Sequence, residues 1–280
     1  MLTETRLRGL AHELVAVSGV LGVMLGGSRA RGDHHPDSDV DLGIYYRPPL
    51  DTASLRTLAR RVATGRPDQG PEPDVTEPGG WGPWVDGGGW LTIDATPVDW
   101  IYRDVDRVRH SADLALRGEF EFHVQVGHPL GMPDFAYAGE VALGVVLVDP
   151  TGQLSHLQQT LKPYPPDLRQ SVIARLDEAR FLLGVVPKPA GRCDTTFVAG
   201  CLFRVIALCA HAIHARAGRW VVNEKGLVAA ADRLAPATLG FGRRAQGVMG
   251  GLGSQPAQLL SAVHDAKQLL DDVEDLIGGG

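Results

Sequence analysis

The fold follows from one passage: Leu25-Gly26-Gly27-Ser28-Arg29-Ala30-Arg31-Gly32-Asp33-His34-His35-Pro36-Asp37-Ser38-Asp39-Val40-Asp41-Leu42-Gly43-Ile44. An apolar run, Val20 to Leu25, breaks at a Gly-Gly pair, and a Ser, an Arg and a short polar crossing follow. The chain returns as an alternating run carrying two acids, Asp39 and Asp41. In a strand, side chains at i and i+2 share a face, so these acids project together while Val40, Leu42 and Ile44 turn into a core. Neighbouring carboxylates repel unless a cation lies between them. Hard oxygen donors at this spacing suit Mg²⁺, which also takes phosphate oxygens. Gly27 and Ser28 would offer backbone N–H groups at a helix start, where an anion is favoured. A phosphate cradle this close to metal-binding carboxylates points to nucleotide chemistry.

Outward from this passage the pattern is helix, strand, motif, strand, helix, which suits an α/β arrangement. The first helix runs from about Thr3, as cap, to Ser18, with Leu7, Leu10, Ala11, Leu14 and Val15 on one face. The second strand ends at Pro48-Pro49, and Asp51 caps a helix with a Leu55, Leu58, Ala59, Val62 stripe that ends near Gly65. From Arg66 to Trp90 prolines and glycines alternate around Trp81, Trp84 and Trp90. Such a long connection is commonly functional or disordered, and three tryptophans argue against disorder. Two readings stay open for it: a loop packing its rings onto the core, or an aromatic wall beside a binding site. Next comes a hairpin, with strands near Leu91–Ile93 and Val98–Tyr102. Asp99 alternates there against Val98 and Trp100, and an acid on one side of such an apolar run needs a partner.

Arg103 to Arg117 reads as a helix, Phe122–Val126 and Val145–Val148 as strands. Between them Glu140 is an acid in a small, apolar setting, where it could pair with an arginine as a structural ion pair. After Asp149-Pro150-Thr151-Gly152 the pattern turns helical: Asp167 to Val186, a segment capped by Asp194 and apolar nearly all round to Gly218, and Gln255 to Ile277. The middle one should be the buried centre of a bundle. Its His211 and His214 read as buried or rim histidines rather than metal ligands.

The Gly27-Ser28 pair, ten intervening residues and Asp39-Val40-Asp41 resemble the signature of the nucleotidyltransferase superfamily typified by DNA polymerase β. Within it the chain resembles most the small bacterial aminoglycoside-type (antibiotic) nucleotidyltransferases. The resemblance implies an α+β or α/β catalytic domain over residues 1–150, a mixed sheet flanked by helices. A C-terminal helical bundle over 151–280 would follow, with the cleft between the two. It implies two Mg²⁺ ions on Asp39 and Asp41, with Asp99 as the third carboxylate and Asp94, in the hairpin turn, the weaker candidate. Gly27, Ser28 and Arg29 would hold the triphosphate, with Lys225 of the Asn223-Glu224-Lys225 segment reaching the same phosphates. Glu140 would be the general base, with His123 and His128 as rivals. The expected reaction moves a nucleoside monophosphate, AMP from ATP, to a hydroxyl of a small molecule, with an antibiotic among the candidates. A homodimer is one arrangement the resemblance allows. An antitoxin-type enzyme that adenylylates a partner protein, and an inactive nucleotide-binding module, are the alternatives.

Composition sets further limits. With 44% hydrophobic and 21% charged residues the 280-residue chain is ordinary for a globular protein. A net charge of -6 argues against nucleic acid as partner, which calls for a basic excess. Three cysteines, Cys193, Cys201 and Cys209, form neither a disulfide framework nor a zinc pattern. The N-terminus lacks a signal-peptide profile, and no apolar run reaches about 18 residues, so no transmembrane helix is expected. Cytoplasmic placement and no membrane partner are therefore expected.

Overall fold

The computed structural model describes residues 2–32, 35, 38–63, 73–234 and 240–279. Two compact units emerge, one of Met1–Leu114 with Phe120–Pro163, the other of Ala115–Glu119 with Tyr164–Gly280.

The first unit is built on a five-stranded sheet in the order β3-β4-β2-β1-β7. Its strands are β1 (Val20–Leu25), β2 (Val40–Tyr46), β3 (Gly88–Ile93), β4 (Thr96–Asp104) and β7 (Val145–Val148). β1 runs antiparallel to β2 and β7, β3 runs antiparallel to β4, and β2 and β4 are parallel, so the sheet is mixed. The inward residues of β2 and β4 pack with β1 against helices α1 (Glu4–Val15) and α3 (Thr52–Val62). Leu10, Leu14, Leu55, Leu42, Ile44, Trp100 and Tyr102 are fully buried there, each contributing about 1.5–3 kcal/mol of apolar burial. Thr3 caps α1 by accepting the Arg6 N–H, and Asp51 caps α3 by accepting from Ser54, each satisfying an orphan donor of the first turn. The expected end of α3 at Gly65 lies outside the described residues, as do residues 66–72 of the Trp-rich segment. Asp94 and Ala95 both take positive φ, 49° and 57°, the two-residue turn whose twist matches the strands it joins.

β4 runs to Asp104, two residues beyond the expected strand, and α4 (Val105–Leu116) begins only after it. A second sheet pairs β5 (Phe122–Gln125) with β6 (His128–Pro133); β6 had no signal, because prolines at 129 and 133 blur its alternation. Helices α2 (Gly27–Arg31), α5 (Ala136–Leu143) and α6 (Gln153–Leu161) complete the unit.

In the second unit α10 (Thr195–Arg216), capped by Asp194, is packed by α7 (Pro166–Ala174), α8 (Leu176–Val185), α9 (Pro187–Gly191), α11 (Leu227–Leu234), α12 (Phe241–Gly250) and α13 (Pro256–Gly278). The single helix expected over 167–186 is two. Arg175 donates to Val172 O at i−3, which tightens the turn and breaks the run without a Gly or Pro to announce it. α10 is long and apolar enough to cross a bilayer by length and composition alone, with mean hydropathy 1.9 over an 18-residue window, but 67% of that window is buried inside the protein, as in a core helix. The expectation that nothing in the chain is apolar enough over such a length is corrected to that extent. His211 and His214 are both buried on α10, and His214 Nδ1 lies 2.8 Å from Ala210 O. The mixed sheet flanked by helices, followed by a helical region, is the fold class that the sequence implied.

Candidate active site

β1 ends where Gly26 donates its N–H to Asp41 O at 2.8 Å, so the turn is bonded to β2 at the residue carrying the carboxylate. Gly27 has φ +61°, and a Cβ built on it would stand 1.7 Å from Asp41 Oδ2. Only glycine satisfies both conditions, because the left-handed region and the close approach each penalise a side chain. α2 then carries Ser28 and Arg29 away from the turn. Arg29 donates through Nε to Ser38 O and Asp39 O, both at 3.1 Å, and through Nη2 to Ser38 O at 2.7 Å. It thereby fixes the segment that delivers Asp39 to the start of β2. The sequence did not reveal this bracing role of Arg29, which was expected only as a phosphate contact.

Asp41 and Asp99 are register partners on the parallel strands β2 and β4. Paired positions share a face about 4.8 Å apart, and this face is the one opposite α1 and α3. Asp99 is in turn paired with Trp90 on β3. Asp39, one residue before β2, is exposed. Asp94 sits in the hairpin turn and meets Arg6 Nε at 3.5 Å at the surface, so it takes no part in this row. Among the described residues no three His, Cys, Asp or Glu side chains converge as a ready-made ion site. The donors nonetheless fit a hard divalent cation in kind: two carboxylates side by side on one sheet face, a third at i−2, and a turn trimmed of side chain beside them.

Further along the same face the character changes. The Tyr45 ring lies over Gly43, where a Cβ would meet it at 2.9 Å. Arg103, four residues or about 13 Å along β4 from Asp99, is buried and grips Glu140 in a fork, Nε to Oε2 at 2.5 Å and Nη2 to Oε1 at 2.7 Å. Burial pulls the guanidinium pKa down, but Glu140 beside it more than offsets this and holds it above the usual arginine value. Arg103 Nη1 also donates to Val85 O and Tyr102 O. The structure thus brings Glu140 to Arg103, the ion pair the sequence left open, rather than to Asp41 and Asp99. His123 is stacked on Trp84 with centroids 3.7 Å apart and sits 3.2 Å from Asp134 Oδ2. Burial raises the Asp134 carboxyl, against the pull of His123. His128 opens β6.

Residues 73–90 are tied down at many points. Gln125 accepts from Trp84 N and Val85 N and donates to Trp81 O. Asp86 accepts from Gly79 N and the Tyr46 hydroxyl. Tyr137 donates to Trp84 O, and the Arg107 guanidinium lies 4.4 Å over the Trp84 ring. Gln125, Asp86 and Arg107 had no local signal, since their partners lie up to 44 residues away. Lys225 belongs to the second unit, exposed before α11, where its N–H donates to Asn223 Oδ1 at 2.8 Å.

Residues 7–78 match the family model of the nucleotidyltransferase domain, a span that takes in Gly27, Ser28, Asp39 and Asp41 and ends before Asp99. No curated protein matches the chain. A solved structure, a nucleotidyltransferase-like protein from Exiguobacterium sibiricum 255-15, is similar over 99% of this chain and 77% of its own, at 13% identity and a TM-score of 0.46.

Proposed function

We propose that this nucleotidyltransferase domain transfers a nucleoside monophosphate, with ATP as donor, to a hydroxyl of a small molecule and releases pyrophosphate. The observation that carries the reading is the fitted contact of the Gly27 turn with Asp41, with Asp99 in register beside it. In this reading Asp39, Asp41 and Asp99 hold Mg²⁺, which when bound supplies positive charge against the phosphates and the reacting oxygens. Gly27 and Ser28 present N–H groups to the terminal phosphates. Arg29 adds positive charge for the same anion. The acceptor oxygen bonds to the α-phosphorus as the bond to the β-phosphate oxygen breaks, and the hydroxyl proton passes to a base or to water. The chain's part is chiefly positioning and charge placement.

The test is pyrophosphate release with ATP, GTP, CTP and UTP against a panel of hydroxylated small molecules, antibiotics among them. Release that needs Mg²⁺, one panel member and Asp41 supports the reading. Label from ATP appearing instead on a protein band in lysate would move the reading to a protein-modifying enzyme.

A further inference from the structure

The row of paired residues across the sheet continues past the carboxylates to Trp90. We propose that Trp90, backed by Trp81, is the platform on which the acceptor stacks a flat ring, so that the acceptor is a hydroxyl-bearing molecule with an aromatic or apolar ring face. This deepens the proposed function and rests on it. Register fixes the order along the row: the Gly26-Gly27 turn, then Asp41, then Asp99, then Trp90. Adjacent strands lie about 4.8 Å apart, so Trp90 stands one strand from Asp99 and two, about 10 Å, from Asp41. Paired positions share a face, which sets the indole on the carboxylate side of the sheet. With the triphosphate at the turn, the Trp90 end belongs to the other reactant.

The indole is held as a platform would be. Trp81 stacks on it with centroids 4.6 Å apart and planes 15° apart. Trp81 is itself fixed: its N–H donates to Asp86 O, its carbonyl accepts from Gln125, and its ring tip lies 3.1 Å from where a Cβ on Gly88 would be. Stacking covers one indole face only, and Trp90 remains 71% exposed, the most exposed aromatic among the large exposed hydrophobics. A tryptophan serving only to cover the β3 edge would turn that area inward, and exposed apolar surface on an edge strand is ordinarily avoided. A rigid, open aromatic face beside a reactive centre is a stacking surface for a ring that must present its hydroxyl at Asp99.

The experiment is calorimetric titration of the full chain with phenyl β-glucoside, methyl β-glucoside and Mg-ATP, in the wild type and in Trp90→Ala and Trp90→Phe. The expected result is that the phenyl glucoside binds the wild type and Trp90→Phe, and binds Trp90→Ala about tenfold more weakly. The methyl glucoside should bind none of them measurably better than another, and ATP should bind all three alike. Equal phenyl glucoside affinity in wild type and Trp90→Ala overturns the proposal, as does absence of binding to the wild type. Weakened ATP binding in Trp90→Ala also overturns it, because the platform would then serve the nucleobase. None of these readouts depends on turnover, so the stacking site and the transferase reading can fail separately.

Discussion

A methyl group on Gly27 would fall 1.7 Å from Asp41 Oδ2, so the turn and the carboxylate are in direct contact, with no room for a side chain between them. Gly27→Ala must therefore push the carboxylate aside and hold φ +61° at a cost of about 1–2 kcal/mol. The variant should fold, melt a few degrees lower, and lose about 100-fold in pyrophosphate release, since an ångström of misplacement is enough for that. Release within about threefold of wild type would show that the contact is structural only.

Asp41 and Asp99 stand side by side on β2 and β4. Asparagine keeps the size and shape of the side chain, so Asp41→Asn and Asp99→Asn should still fold. Both should lose at least about 100-fold in Mg²⁺-dependent release. A readout without turnover is thermal melting: added Mg²⁺ should raise the wild-type midpoint by mass action and leave the double variant unmoved. An equal rise in both would remove these residues from the ion site.

The fork from Arg103 to Glu140 leads to a different expectation. Arg103 has a side chain 5% exposed and Glu140 one 26% exposed. Truncating the acid leaves a buried guanidinium without its partner, worth about 3–5 kcal/mol in a dry site and less here because Glu140 keeps contact with water. Glu140→Ala should thus be clearly destabilised, with kcat per folded molecule little changed and Glu140→Gln intermediate in stability. A drop of about 100-fold in kcat for Glu140→Gln, with an altered acid limb of the pH profile, would identify Glu140 as the base instead.

What could be read from the sequence was local. Val20–Leu25 and Val145–Val148 are the strands β1 and β7 to the residue, because each is a short apolar run bounded by glycine or a turn. Thr3, Asp51 and Asp194 cap helices through bonds three residues long. The register of Asp41 with Asp99 was not legible, although both acids were, because pairing between parallel strands is set by packing far along the chain. For the same reason the anchoring of residues 73–90 by Gln125, Arg103 and Arg107 left no trace in the segment itself. The break at Arg175 had none either, since neither proline nor glycine marks it. Of the two readings of the Trp-rich segment, the structure divides the residues: Trp84 is sandwiched by His123 and Arg107, whereas Trp90 keeps a face open.

The buried histidines of α10, His211 above all, give the helical unit a pH dependence of definite sign. Burial, with His214 adding to it, depresses the His211 imidazole to about 3, whereas an unfolded chain titrates its histidines near 6.5. The unfolded state therefore binds a proton that the folded state refuses. The stability this neutral ring contributes is fully present above pH about 6.5 and is lost progressively as pH falls from there toward about 3, with a slope of about 1.4 kcal/mol per pH unit. His214, also depressed by burial, acts in the same direction. Urea unfolding of wild type and His211→Phe at pH 7.5, 6 and 5 checks this. The variant keeps a ring of similar size without the titrating nitrogens, so its stability should fall less steeply over this range. Parallel curves would mean that His211 takes up its proton in the folded state, and hence that the core around α10 admits charge.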